Sequence, residues 1–193
     1  MDTPPPLDIE AMLEVLDRHG VDYIIIGGFA VAAHGYPRAT RDVDFTAAQN
    51  RDNLEKLAAA LTELQVTLRG IGDIPHDMDP RNVDDLALGG NWTLTSTSGW
   101  LDYIPAALGA SEYHELKQRA IVATVGDRDV LIVGLDDLVA MKRASGRARD
   151  RQDLAALAER HPHLRQAPDL DPPVTTPNDP PEQKRRWGFG QRR

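Results

Sequence analysis

The sequence predicts an α/β or α+β domain that closes with a C-terminal helical piece, on two observations. Through the first 64 residues, apolar strand-like runs alternate with helical stripes. After a middle rich in Asp, Pro and Gly, further strand-like runs appear and two helical stretches follow them. A chain of 193 residues favours one domain with small appendages and is long enough to bury a core. The expected organisation is a disordered leader over 1–6, a core over 7–134, C-terminal helices over 135–165 and a disordered tail over 166–193.

The first helix is expected over Leu7–His19, where Leu7, Met12, Leu13 and Leu16 form the apolar stripe and Gly20 suits the stop. VDYIIIGG reads as a buried strand over Asp22–Ile26, ended by Gly27 and Gly28. FAVAAHG reads as a short helix, stopped by Gly35 and Pro37. A second strand spans Arg41–Ala47. The next helix spans Asp52–Leu64, with Asp52 and Glu55 as an acidic capping box and Leu54, Leu57, Leu61 and Leu64 as its core face. Gly70–Gly90 reads as loop. Strands are expected over Trp92–Ser96, Trp100–Pro105, Ala120–Val125 and Asp129–Val133, then helices over Leu135–Ala144 and Arg151–Arg160. Beyond Gln166, six prolines precede a basic end that reads as a partner-binding arm or a disordered tail.

Composition narrows the function classes. The chain has no cysteine, which excludes disulfides, thiolate zinc sites and cysteine nucleophiles. The longest apolar run, Tyr23 to Ala33, contains two glycines, and a spanning helix needs roughly 20 apolar residues. The acidic, proline-rich start lacks the pattern of a secretory signal, so a cytoplasmic location is expected. A net charge of −8 does not advertise a nucleic-acid binder, although KRRWGFGQRR and the stretch Lys142–Arg151 are locally basic.

Asp42 and Asp44 sit two apart on a predicted strand, so their side chains share one face with Cα atoms roughly 6.6 Å apart. Val43 and Phe45 then face the core. Two carboxylates on one face suit magnesium, which takes oxygen ligands and usually shares them with substrate phosphates. The same pattern also occurs as an incidental solvated strand face. Gly27-Gly28, between a strand and a helix, lets backbone N–H groups approach an anion closely. Taken singly, it also reads as a tight turn.

Together, an apolar strand, Gly27-Gly28, thirteen intervening residues and Asp42-Val43-Asp44-Phe45 resemble the signature of the nucleotidyltransferase (polymerase-β-like) superfamily. The resemblance implies a mixed central sheet flanked by helices. It places a nucleoside triphosphate on Gly27 and Gly28, and magnesium, or manganese, on Asp42 and Asp44. A third carboxylate usually comes from a neighbouring strand, and Asp102 in GWLDYIP is the candidate; a strand-edge charge is the other reading. Arg38 and Thr40 precede the acids. Arg38 could neutralise phosphate, and Thr40 could share the acids' face. A phosphate added to Thr40 would bring about −1.5 to −2 charge to the site and is expected to block activity.

The second constellation is LDDLVAMKRASGRARDRQDL. Lys142 falls on the core-facing stripe with Leu135 and Leu138, which points to a phosphate contact or to snorkelling. Asp150 could cap the last helix, with Asp153 in its first turn; both could also orient Arg147 or Lys142. Lys142, Arg147, Asp150 and the following Asp-Leu resemble the C-terminal portion of the AbiEii/MenT-type nucleotidyltransferases, toxins of type IV toxin–antitoxin pairs. That resemblance implies transfer of a nucleoside monophosphate from ATP, CTP or another NTP to the 3′ end of tRNA. Catalysis would involve Asp42, Asp44, Asp102 and Lys142, with Arg38, Thr40, Arg147 and Asp150 at the nucleotide. The implied partners are the NTP, the tRNA acceptor end and a cognate antitoxin, with neither membrane nor DNA. Protein or small-molecule hydroxyls as acceptors, and a non-catalytic nucleotide-binding module, stay open as alternatives. His76 with Asp77 and Asp79 could bind a metal weakly but reads first as a turn, and Trp187 and Phe189 between arginines could stack on bases, although a floppy terminus is the favoured reading.

Overall fold

The structure is a computed structural model that describes residues 6–69 and 78–166. The expected leader and tail, His76, Asp77, Trp187 and Phe189 lie outside the described residues, apart from Pro6 and Gln166 at their edges.

The elements run α1 (Ile9–Arg18), β1 (Tyr23–Ile25), α2 (Gly27–Ala33), β2 (Asp42–Ala47), α3 (Arg51–Glu63), β3 (Thr67–Leu68), α4 (Val83–Ala87), β4 (Trp92–Ser96), β5 (Gly99–Tyr103), α5 (Tyr113–Arg119), β6 (Ile121–Val125), β7 (Arg128–Ile132), α6 (Leu135–Ser145) and α7 (Ala148–Arg160). A 3-10 turn over Pro162–Gln166 follows. One mixed sheet carries the strands in the order β3-β4-β5-β2-β1-β7-β6. β1 pairs antiparallel with β2 and parallel with β7, while β2 pairs parallel with β5.

The alternation along β2, β4 and β5 makes the sheet two-faced there. Val43, Phe45, Leu94, Trp92, Leu101 and Tyr103 are buried in register on one side. They join the leucines of α1 and α3 in a single core. Asp42, Asp44, Thr93, Thr95, Trp100 and Asp102 lie on the other side, and all are only partly exposed. β1 differs: Tyr23, Ile24 and Ile25 are all buried, as a continuous apolar strand should be when both faces are covered.

Several elements differ from the sequence reading. The segment expected to be loop contains α4, capped by the Asn82 side chain accepting from the Asp84 N–H. It buries only Leu86, so no apolar stripe announces it. α5 was not expected at all, and it too buries a single residue, Leu116. α3 starts at Arg51, capped by Asn50 rather than Asp52, because the Asn50 side chain accepts the Asn53 N–H at 3.0 Å. α7 starts at Ala148, three residues before Arg151, which puts Asp150 inside its first turn. Gly27 and Gly28 open α2 instead of preceding it.

Candidate functional site

Antiparallel pairing of β1 with β2, which α2 connects, brings the glycine turn onto the acids. The Ile26 N–H donates to the Asp44 backbone oxygen at 2.9 Å, and the Gly28 N–H donates to Asp44 Oδ2 at 3.3 Å. Gly27 has φ +63, and a Cβ there would lie 1.9 Å from Asp44 Oδ2. The position therefore excludes a side chain on two counts, backbone conformation and space. A Cβ on Gly28 would lie 2.6 Å from Thr40 Oγ1. Gly27→Ala is expected to cost at least about 1–2 kcal/mol from the left-handed backbone alone and to push the Asp44 carboxylate aside. Thermal unfolding checks this, since an unshifted melt contradicts the packing.

The acids form a row across two strands. Parallel register sets Asp42 opposite Trp100 and Asp44 opposite Asp102. Thr40 shares the acids' side, its hydroxyl donating to Asp42 Oδ1 at 3.1 Å. Asp102 accepts from Arg69 Nη2 at 2.8 Å, and the Arg69 guanidinium lies over Trp100, 4.1 Å from the ring centroid. Burial raises the Asp44 pKa to about 7, helped by repulsion from Asp42 and Asp102 and opposed by the Gly28 N–H and Lys142. Asp102 is raised as well, chiefly by burial, with Arg69 opposing.

A carboxyl group destabilised by like charges is what a divalent cation relieves. Among the described residues no three His, Cys, Asp or Glu side chains close into a ready-made metal cage. Magnesium does not need one, since one or two carboxylates plus substrate phosphates suffice. The row fits such an ion, with Asp42 and Asp44 as its carboxylates and Asp102 beside them.

The raised pKa of Asp44 has a definite consequence for stability. A carboxyl whose folded pKa lies above its unfolded value of 3.8 favours folding at low pH, and that contribution is lost as pH rises toward about 7. In the metal-free protein, the melting temperature of Asp44→Asn should therefore exceed that of the wild type by a margin that widens from pH 4 to pH 8. Magnesium should shrink the margin at pH 8. A margin independent of pH contradicts the burial.

The second constellation meets the first across a cleft of about 150 Å³, bounded by Gly27, Asp44, Leu138, Met141, Lys142 and Arg147. Lys142 is 9 % exposed. Its Nζ lies 2.9 Å from both Asp150 Oδ1 and Asp153 Oδ2, so it is an ion-paired lysine at the cleft wall. Asp150 also accepts the Arg147 N–H at 3.2 Å. Burial pushes Asp150 up, but the hydrogen bonds from Lys142 and Ser145 outweigh it and the net shift is downward. Asp153, 1 % exposed, takes two hydrogen bonds from Arg38, at 2.8 and 3.0 Å. Arg38 is thus tied to α7 and stands near Gly28, while the Arg147 side chain is exposed.

Sequence reasoning treated Asp153 as a first-turn acid that could orient Lys142 or Arg147. Its pairing with Arg38 spans 115 residues and has no local signal. Arg69 and Trp100 were not expected at the site either. Only the register of β3, β4 and β5 brings them there.

No helix of the described residues is long and apolar enough to cross a membrane. No protein-family model and no curated protein matches the chain. The fold is similar to the solution structure of the antibiotic-resistance factor ANT(2″)-Ia, with 20% identity and a TM-score of 0.52 over 82% of this chain and 88% of that one. The crystal structure of ANT(2″)-Ia in complex with adenylyl-2″-tobramycin gives the same identity and TM-score over 82% of this chain and 93% of that one. The chain has the nucleotidyltransferase fold.

Proposed function

We propose that the chain is a magnesium-dependent nucleotidyltransferase that moves a nucleoside monophosphate from an NTP to an acceptor hydroxyl. The observation that carries this reading is the Asp44 carboxylate packed against the Gly27 turn, on one sheet face with Asp42 and Asp102. Asp42 and Asp44 would hold the metal. A divalent ion bound there would neutralise the triphosphate and ease ionisation of the attacking hydroxyl. The acceptor oxygen forms a bond to the α-phosphorus, the α–β phosphoanhydride breaks, and pyrophosphate leaves. Asp102, whose pKa is raised, takes the hydroxyl proton from the acceptor side of the row. Lys142, held by Asp150 and Asp153, places a positive charge at the cleft wall beside Asp44. Arg147 is exposed at the same cleft and within reach of phosphate.

The favoured acceptor is the 3′ end of tRNA, with the chain as the toxin of a toxin–antitoxin pair and a cognate antitoxin as its partner. The Lys142–Arg147 block and its resemblance to AbiEii/MenT-type enzymes support that reading. A second reading, transfer to a small hydroxyl compound, is favoured by the likeness to ANT(2″)-Ia, whose complex contains an adenylylated tobramycin.

Incubation with magnesium and NTPs labelled at either the α- or the γ-phosphate, with tRNA and a small polyhydroxy amine supplied separately, tests the proposal. The α-label should move to tRNA, and the γ-label should leave as pyrophosphate. Transfer of the γ-label to an acceptor, or retention of both labels in NTP, would overturn it.

A further inference from the structure

The acid row is one end of a larger surface. β4 pairs with β5 so that Thr93 lies opposite Asp102 and Thr95 opposite Trp100. Next to β4, Thr67 lies opposite Thr95, and the Arg69 N–H donates to the Thr93 oxygen at 2.8 Å. Because side chains alternate along a strand, Asp44, Asp102, Thr93 and Arg69 stand side by side across four adjacent positions. Asp42, Trp100, Thr95 and Thr67 form the parallel row. All of these residues are at least partly exposed.

The chemistry of the surface changes along it. Asp42 and Asp44 make one end acidic. Beyond Asp102, the described strand residues on this side are threonines and Trp100, with Arg69 just after β3 and no further carboxylate among them. The guanidinium carbon lies over the indole, 4.1 Å from the ring centroid, and Arg69 Nε is a buried donor with no hydrogen-bond partner. A cation stacked on an aromatic plane, edged by hydroxyls, repels a cationic acceptor and suits an anionic one with a flat base. Nucleobases stack on arginine and tryptophan planes without strict sequence preference.

We infer that Trp100 and Arg69 form the acceptor subsite, a stacking platform for the terminal base of a single-stranded RNA 3′ end. The inference rests on the nucleotidyl-transfer reading and assigns two residues of this chain to its acceptor side. Trp100 is one strand from Asp42, about 4.8 Å across the sheet. A base on the platform therefore leaves its ribose hydroxyl beside Asp102 and Asp44, where the attack begins. Arg69 holds Asp102 as well as the base, so acceptor binding and the third carboxylate are joined through one side chain.

The test is equilibrium binding of a 5′-fluorescent single-stranded RNA oligonucleotide with a free 3′ hydroxyl to the full chain with magnesium, read by anisotropy. Trp100→Ala should weaken binding roughly 10-fold or more, and Trp100→Phe should retain most of it. Thr95→Glu, which sets a carboxylate beside the ring from the next strand, should weaken binding too. Affinity for magnesium and a non-hydrolysable NTP analogue should be unchanged in all three. Unchanged RNA affinity in a folded Trp100→Ala variant overturns the platform. So does a Trp100→Ala effect on KM for a small polyhydroxy amine in place of RNA. Wild-type protein that binds the RNA through Trp100 yet never transfers label keeps the platform and overturns the nucleotidyl-transfer reading instead.

Discussion

Asp44→Asn is expected to abolish nucleotidyl transfer, by on the order of 10³-fold or more, while leaving a more stable metal-free protein at pH 8. The two effects have one origin. Burial of the carboxylate against the Gly27 turn, with repulsion from Asp42 and Asp102, lifts its pKa to about 7. A shift of that size corresponds to a few kcal/mol of strain in the ionised fold. Asn has the same shape and its oxygen can still accept from the Gly28 N–H, so the turn survives the substitution. It has no charge with which to hold a cation. A variant that melts higher and transfers nothing is the expected result, whereas an active Asp44→Asn removes the residue from the chemistry. Asp42→Asn should lose activity similarly.

The second large effect belongs to Asp153. This carboxylate is 1 % exposed and faces two cations, Arg38 and Lys142. Asp153→Ala removes the anion and leaves both cations beside the cleft with Asp150 alone to serve Lys142. Loss of one partner from a buried pair typically costs about 3–5 kcal/mol, because the remaining charge stays desolvated. Denaturant unfolding should show a loss in that range. If uncompensated cations are the cause, Asp153→Ala should cost markedly less in a Lys142→Met background, since the double variant leaves fewer unpaired charges. Equal costs in the two backgrounds would mean that Asp153 acts through packing alone. Activity should fall as well, because Arg38 and α6 are positioned through this residue.

These two residues mark the boundary of what the sequence made legible. The meeting of Asp44 with Gly27 was readable because both lie at one antiparallel strand pair, close in sequence. A strand ending in glycines and a strand carrying alternate acids are local patterns, and antiparallel pairing of β1 with β2 brings them together. Asp102 was readable as a candidate because its strand alternates cleanly, although its register opposite Asp44 needed the sheet. Trp92–Ser96 coincided with its predicted strand for the same reason. α4 and α5 were not readable, since each buries one side chain and is held mainly by tertiary contacts. Lys142 was marked by its place on an apolar stripe, but its partners could not be ranked from spacing. Asp150 and Asp153 both fall within reach, and only the packing of α7 on α6 shows that both are used. Arg38 with Asp153 and Arg69 with Asp102 join distant parts of the chain, so no short-range pattern encodes them.

The most direct measurement is calorimetric binding of a non-hydrolysable NTP analogue to the wild type and to Asp42→Asn/Asp44→Asn, each with magnesium and with EDTA. The account predicts binding to the wild type with magnesium, and its loss both in EDTA and in the double variant. Equal affinity in all four samples would contradict a metal-held triphosphate at the glycine turn.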